Sequence, residues 1–402
     1  PYGQQKHGYE LPGPEFNAFS QVATKLVDQG KTVKEAKQLL LDDVGREFDA
    51  FLEARTAGTP FCFWFGPTNV HRKWIRGSGK KLWGLDPDAL QGKLPPFLPD
   101  VPLVREDFAD YLGEAMAFDY CLGVLVEELK KKGLYENTII AVSGDHGPAG
   151  FPHGKCNLYT YGTRVSLAIA GPGVKKLDSG RVLEDFISLP DLAPTFLEAG
   201  GVKIPDVMTA KSIWPSLKAD TARGLADANR TLVFTGRERH VSMARAGHIP
   251  YPARSIRTKD HLLIINFRPD RWPLGDPYGL DTDKEPSVAK LTSSTFVTLA
   301  DEDAGPTKAW IVSNRKDPKV KPFYDHAYGK RPRLQLFDMN KDPHQMKNVA
   351  ADPAYAEVLA KLQTRLMEEL KTTKDPRVVD NGSYFENPPL AGSGKAPKKT
   401  KK

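Results

Sequence analysis

Between Thr32 and Leu52 the apolar residues Val33, Ala36, Leu39, Leu40, Val44, Phe48, Phe51 and Leu52 recur three and four positions apart. That interval lays a single apolar stripe along an α-helix. A longer stripe runs from Arg105 to Lys132, where Tyr111, Ala115, Phe118, Leu122, Leu125 and Leu129 step by 4, 3, 4, 3 and 4 residues. Gly133 stands where a C-cap glycine ends such a helix. Three shorter runs are apolar at nearly every position: Phe61–Gly66 behind Pro60, Thr138–Ser143 and Val165–Ala170. Strands covered on both faces read this way, and such strands belong to parallel sheets. Strand, long helix, strand predicts an α/β unit with a mostly parallel central sheet flanked by helices, to which Asp191–Ala199 adds one more helix. Residues 1–30 read as irregular, because Pro12, Gly13 and Pro14 interrupt any regular element.

Beyond a polar stretch near 216–230 the pattern changes. Leu232–Thr235, Ala253–Thr258, His261–Phe267 and Leu334–Phe337 are strand candidates joined by turns. An amphipathic helix over Pro353–Lys371 follows, with Leu359, Leu362, Leu366 and Leu370 on one side. This order predicts a smaller α+β domain with an antiparallel sheet and a packed helix. The expected organisation is an α/β domain over 1–222, an α+β domain over 228–380 and a basic, disordered tail over 381–402.

A length of 402 residues accommodates both cores. No run of about 18 apolar residues occurs, so no membrane span is expected. Pro1–Lys6 has neither the basic nor the apolar region of a signal peptide, which suggests a processed or truncated product and leaves the compartment unread. The formal net charge of +7 hints at a polyanionic partner, but five of the excess charges are lysines of the last eleven residues. Without a recognised motif beside that charge, nucleic-acid binding is not expected. Cys62, Cys121 and Cys156 lie far apart with no CxxC pair, so buried free thiols are expected rather than disulfides or a zinc site.

The chemistry sits at strand ends. Ser143-Gly144-Asp145-His146-Gly147 closes the second apolar run, and ligands of open α/β sheets bind outside the carboxyl ends of strands. Asp145 offers a hard oxygen and His146 an imidazole nitrogen to one divalent cation; a plain Asp-His-Gly turn accounts for the same residues. Lys155, ten residues past Asp145, is a compact cation able to hold an anionic oxygen, although a loop lysine is ordinarily just solvated. The first apolar run leads into Gly66-Pro67-Thr68-Asn69-Val70-His71-Arg72-Lys73. There His71 is a candidate general acid and Arg72 a candidate anion contact, against the alternative of a basic surface loop.

Several segments, in order, resemble the sulfatases of the alkaline-phosphatase superfamily, and within it the sulfamidase-like, heparan N-sulfatase branch. Asn137–Gly147 resembles the segment NT-hydrophobic-SD(N/H)G, and Phe151–Tyr159 resembles FPxG(R/K)xNLY. His71 fits the PHR-like loop, with Asn69-Val70 where Asp-Pro is usual. Asp191–Thr195 resembles DLAPT, Tyr251–Thr258 resembles YPMRAVR, and Leu336–Ala350 resembles LYDLxxDPxExxNLA.

The resemblance implies formylglycine and calcium chemistry on a sulfo group. Asp145 and His146 match two metal ligands; His146, where many members have Asn, leaves room for another divalent metal. Lys155 matches the cation on the sulfate oxygens and His71 the histidine at the leaving atom. Arg72 and the loop Arg237-Glu238-Arg239-His240 are candidate substrate contacts, with Arg237, Glu238 and His240 placed for a sugar; an exposed salt-bridged turn is the competing reading of that loop. The expected substrate is a sulfated small molecule or glycosaminoglycan such as N-sulfoglucosamine, and the family's usual compartments are exported, periplasmic or lysosomal.

No cysteine or serine here is followed by x-Pro/Ala-x-Arg, so the nucleophile is expected in a missing N-terminal segment, along with the remaining metal ligands. The α/β domain is accordingly expected to be incomplete, the chain alone inactive, and a separate N-terminal fragment a potential partner. The alternatives are a phosphoesterase or phosphonate hydrolase of the same superfamily, and a non-catalytic glycan-binding remnant. The sulfatase reading requires Asp145, His146, Lys155 and His71 to surround one tetrahedral oxyanion.

Overall fold

Helix α1 (Phe19–Asp28) and helix α2 (Val33–Glu53) open the computed structural model, which describes residues 16–177 and 180–387. Thr32 caps α2: its hydroxyl accepts from the Glu35 N–H while the Glu35 carboxylate accepts from the Thr32 N–H, a reciprocal pair that satisfies two otherwise orphaned donors. Helix α1 differs from the irregular segment expected there. The breaking prolines end at Pro14, and Phe19, Val22, Ala23 and Leu26 then share a helical face. Residues 1–15 lie outside the described part.

Helix α3 (Ser78–Trp83) crosses helix α4 (Pro102–Lys131) at contact distance: a Cβ on Gly79 would lie 2.3 Å from the Ala109 carbonyl oxygen. Leu40, Val44 and Phe48 of α2 meet Ala117, Cys121, Leu125 and Leu129 of α4 in the first core. At about 25 cal/mol per Å² of apolar surface removed from water, such a stripe is what holds a helix of this length in place.

Strand β1 (Ile140–Ser143) pairs with strand β2 (Leu167–Ala170), and the pairing is antiparallel, Ile140 opposite Ala170. Short helix α5 (Thr160–Thr163) lies between them. Among the described residues parallel pairing is confined to β3 (Val182–Leu183) and β4 (Arg223–Gly224), on either side of α6 (Leu192–Ala199) and α7 (Trp214–Lys218). Phe61–Gly66 forms no regular element and has no ladder partner among the described residues. Phe61, Phe63 and Phe65 pack on the helical core, while Cys62 is exposed and Trp64 is 86% exposed. The α/β class holds, but the mostly parallel sheet does not appear in the pairing. The apolar runs find no parallel neighbours among the described residues and stay covered on one side.

The second unit follows its pattern closely. Strands β5 (Leu232–Arg237), β6 (Ala253–Thr258) and β7 (His261–Asn266) form an antiparallel sheet in chain order. Helices α8 (Val288–Ser293), α9 (Pro306–Ser313) and α10 (Lys321–Tyr328) interrupt it, none of them anticipated, before β8 (Leu334–Asp338) completes the sheet beside β7. Helix α11 (Ala356–Thr372) lays Leu362, Leu366 and Leu370 over Ile256, Leu263 and Leu336 on one face. The other face, with Leu262, Ile264 and Phe337, receives Leu158 and Tyr159 from the first unit. That contact fixes the loop after β1 against the β5–β8 sheet.

Helices α12 (Pro376–Val379) and α13 (Ser383–Glu386) end the described chain, and Glu386 pairs with Arg271 and Arg377. Of the expected tail, residues 381–387 are described, with Gly382 buried, and 388–402 lie outside the described residues. The described cysteines are all free, but only Cys121 is buried, because the run carrying Cys62 is uncovered on that side. No described helix is long and apolar enough to cross a membrane.

Candidate active site

At the end of β1 the chain turns through Asp145-His146-Gly147, and the close fit there admits only glycine: a Cβ on Gly147 would sit 1.9 Å from the Tyr161 carbonyl oxygen. Asp145 Oδ1 accepts the His146 N–H at 2.9 Å. His146 Nδ1 lies 2.8 Å from the Gly147 carbonyl oxygen, so Nδ1 carries the proton and Nε2 presents a lone pair. That Nε2 is 3.4 Å from Asp145 Oδ2, and the Asp145 side chain is 87% exposed. The turn therefore presents one oxygen and one nitrogen donor side by side, a pair that needs further ligands to enclose a divalent ion.

The chain then runs through Phe151-Pro152-His153-Gly154-Lys155-Cys156, with His153 and Cys156 at positive φ of 64° and 70°. Such conformations are uncommon for residues with a Cβ and persist where surrounding contacts fix them. Here Arg331 donates to the Asn157 side-chain oxygen at 2.6 Å and the Lys155 N–H donates to the Pro148 carbonyl at 3.0 Å. The loop delivers Lys155 Nζ to 3.0 Å from His71 Nε2. His71 Nδ1 is 2.8 Å from the Arg72 carbonyl oxygen, which assigns that nitrogen as the donor and leaves Nε2 to accept from the lysine.

Asp303 completes the group, with Oδ2 at 3.3 Å from Lys155 Nζ and Oδ1 at 3.7 Å from His71 Nε2. The structure thus joins His71 to Lys155 and Asp145 to His146. Among the described residues no hydrogen bond or ion pair links the two pairs.

Arg72 departs from its expected role as an anion contact. Its guanidinium meets both Asp107 oxygens at 2.8 Å, donates to the Ala149 carbonyl at 3.1 Å, and lies 3.9 Å from the Trp74 ring. With only 5% of its side chain exposed it is an internal clamp. Arg237 and Glu238 depart likewise. Arg237 binds the Cys156 carbonyl and Asp301, both at 2.5 Å, and Glu238 accepts from Arg254 and Arg377. Both are consumed by internal contacts.

His240 alone of the expected sugar contacts stays open, with 35% of its side chain exposed. Its Nδ1 lies 3.7 Å from Asp301 Oδ1, and that carboxylate, with Cys156 as a lesser cause, pushes its pKa up to about 9. Cys156, His240 and Asp301 form the one three-donor cluster among the described residues that could gather round an ion, and it contains neither Asp145 nor His146. The Asp301 carboxylate already holds Arg237 and Arg245 at 2.5 and 2.7 Å, and two guanidiniums at that range oppose a further cation.

Sequence reasoning missed Asp107, Asp301 and Asp303. The last two flank Glu302 in an acidic triplet just before the Gly305-Pro306 start of α9, a signal that was there to be read. Burial pushes Glu302 up to about 7 and Lys308 down to about 8. The Lys308 ammonium donates to the Leu299 and Glu302 carbonyls at 2.9 and 2.7 Å, which ties the triplet to α9.

Residues 6–202 match the model of the sulfatase family. Human N-sulphoglucosamine sulphohydrolase is 29% identical over 312 residues, covering 74% of this chain and 54% of the relative. An N-acetylglucosamine-6-O-sulfatase of Bacteroides thetaiotaomicron is 28% identical, covering 52% and 36% respectively. The chain thus spans about half or less of these curated relatives. A solved Bacteroides fragilis protein described as a sulfatase superposes with a TM-score of 0.54 at 16% identity, covering 92% of this chain and 61% of its own, a likeness of fold. Ordered motifs, the family match and the shared α/β fold agree, and the chain belongs to the sulfatase family.

Proposed function

We propose that this chain supplies the sulfo-group-binding part of a hydrolase that removes sulfate from sulfated amino sugars, as esters or N-sulfates, in glycosaminoglycan-like glycans. The observation that carries this is the 3.0 Å approach of Lys155 Nζ to His71 Nε2 from two distant stretches of chain. A fixed ammonium beside an imidazole suits a tetrahedral oxyanion whose leaving atom needs a proton. Lys155 binds a sulfo oxygen. His71, its ring fixed through Nδ1 to the Arg72 carbonyl, keeps Nε2 for the proton that passes to the leaving oxygen or nitrogen.

Asp145 and His146 would hold a divalent cation, calcium first, through the exposed carboxylate and the free Nε2. Such an ion, when bound, lends positive charge to the sulfo oxygens. Support for an amino-sugar substrate comes from two relatives whose names specify N-sulphoglucosamine and N-acetylglucosamine 6-O-sulfate. In this reading 1–222 carries the chemistry and 228–380 shapes the substrate side. No Cys/Ser-x-Pro/Ala-x-Arg motif occurs in these 402 residues, and in this reading the chain alone does not turn over.

The test is sulfate release from N-sulfoglucosamine, glucosamine 6-sulfate and a phosphonate monoester, with calcium present. It is run on the chain alone and on the chain co-expressed with a family N-terminal region carrying the nucleophile motif. We expect release from the sulfated sugars only in the second case, falling at least about 100-fold in Lys155→Ala and His71→Ala. Turnover indifferent to both substitutions sinks the assignment, brisk turnover by the chain alone overturns its inactivity, and preference for the phosphonate moves the enzyme to another class.

A further inference from the structure

We propose that Asp303 is the resident counter-ion of the oxyanion site, holding Lys155 while the site is empty and passing to His71 when an oxyanion takes the lysine. The inference rests on the reading that Lys155 and His71 receive a sulfo group, and adds a residue to it. The two Asp303 oxygens face different partners, Oδ2 toward Lys155 at 3.3 Å and Oδ1 toward His71 at 3.7 Å. Asp303 and Lys155 are 13% and 12% exposed and His71 is 41% exposed, so the group opens to solvent on the histidine side.

Asp303 is the one carboxylate of its triplet free for this task. Asp301 is held by Arg237 and Arg245, and Glu302 is buried beside Lys308 and Tyr328. The Asp303 contact to Lys155 is an ion pair rather than an aligned hydrogen bond, for Oδ2 is buried and lacks a hydrogen-bond donor.

In the resting arrangement Lys155 donates into His71 Nε2 and blocks that nitrogen from carrying a proton outward. An oxyanion that draws Lys155 away frees Nε2 to take a proton from solvent, to which the His71 ring is 41% exposed. The nearest carboxylate oxygen able to orient an Nε2–H is then Asp303 Oδ1. The arrangement has an opposite effect on binding, because a carboxylate beside an anion site repels the anion and competes for its cation. Asp303 is therefore a positioning residue that weakens anion binding while it prepares the histidine.

Titration calorimetry of the 402-residue chain with sodium sulfate separates this from a structural role. Asp303→Asn should bind sulfate about five- to tenfold more tightly than wild type, and Lys155→Ala at least tenfold more weakly. A thermal melt shows that each variant is folded, and Asp303→Ser replaces the asparagine variant should that one melt early. In the completed enzyme Asp303→Asn should lower kcat and KM together, whereas loss of a residue that only supports the fold lowers the active fraction, hence the apparent kcat, and leaves KM unchanged. Unchanged or weaker sulfate binding in a folded Asp303 variant, with Lys155→Ala still impaired, overturns the counter-ion role alone. Sulfate binding indifferent to Lys155→Ala overturns the oxyanion site and this inference with it.

Discussion

Asp107→Ala should be among the most damaging single substitutions in this chain. Asp107 and Arg72 are 2% and 5% exposed and meet through two parallel 2.8 Å hydrogen bonds. The same carboxylate accepts from the Thr307 hydroxyl at 2.6 Å and the Thr307 N–H at 3.2 Å, joining α4 to α9. Truncation leaves a buried guanidinium without its counter-charge, which costs about 3–5 kcal/mol, and two Thr307 donors without an acceptor. The Ala149 carbonyl and the Trp74 and Phe151 rings keep part of the Arg72 environment, so about 4 kcal/mol is expected. Asp107→Asn keeps one acceptor and should lose about 2 kcal/mol. Glu369→Ala removes an exposed partner of Arg365 four residues earlier and should cost about 0.3–0.5 kcal/mol. Guanidinium unfolding followed by tryptophan fluorescence measures all three. A loss below about 1 kcal/mol for Asp107→Ala would show that Arg72 is not clamped as described.

The raised pKa of His240, about 9 against an ordinary 6.5, sets a stability window. The folded state holds the proton more tightly, so the contribution is full below the ordinary value, declines as pH rises and is gone above about 9. Denaturation midpoints should fall between these limits in wild type and flatten in His240→Gln; an unchanged slope in the variant counts against the Asp301 contact. The thiols should separate cleanly. Cys62 is exposed and should react with a disulfide reagent in the native protein, whereas Cys121 is buried with its thiol pushed up to about 12 and should react only on unfolding. Native-state labelling of Cys121, read by mass spectrometry, contradicts the packing of α2 on α4.

What the sequence disclosed depended on how local the cause was. The Val33–Leu52 and Tyr111–Leu129 stripes and the apolar runs of β5–β8 are written in neighbouring residues, and each element appears within a few positions of its expected bounds. The direction of β1 against β2 is not local, since an all-apolar strand reads alike whichever way its neighbour runs. Among site residues, His71, Lys155, Asp145 and His146 stood out at strand ends. Arg72 and Arg237 looked the same in sequence, yet Asp107 and Asp301 from distant segments consume them. Asp303 lay in an unanticipated insertion whose helices pack on one another, a relation no short window reveals.

The half-covered run Phe61–Gly66 bears on how the purified chain will behave. With Trp64 turned to water and no ladder partner among the described residues, this apolar stretch is a ready contact for another chain. Preparations should stay dispersed at low protein concentration and mild denaturant and form larger particles as either safeguard is removed, so light scattering belongs beside every ligand titration.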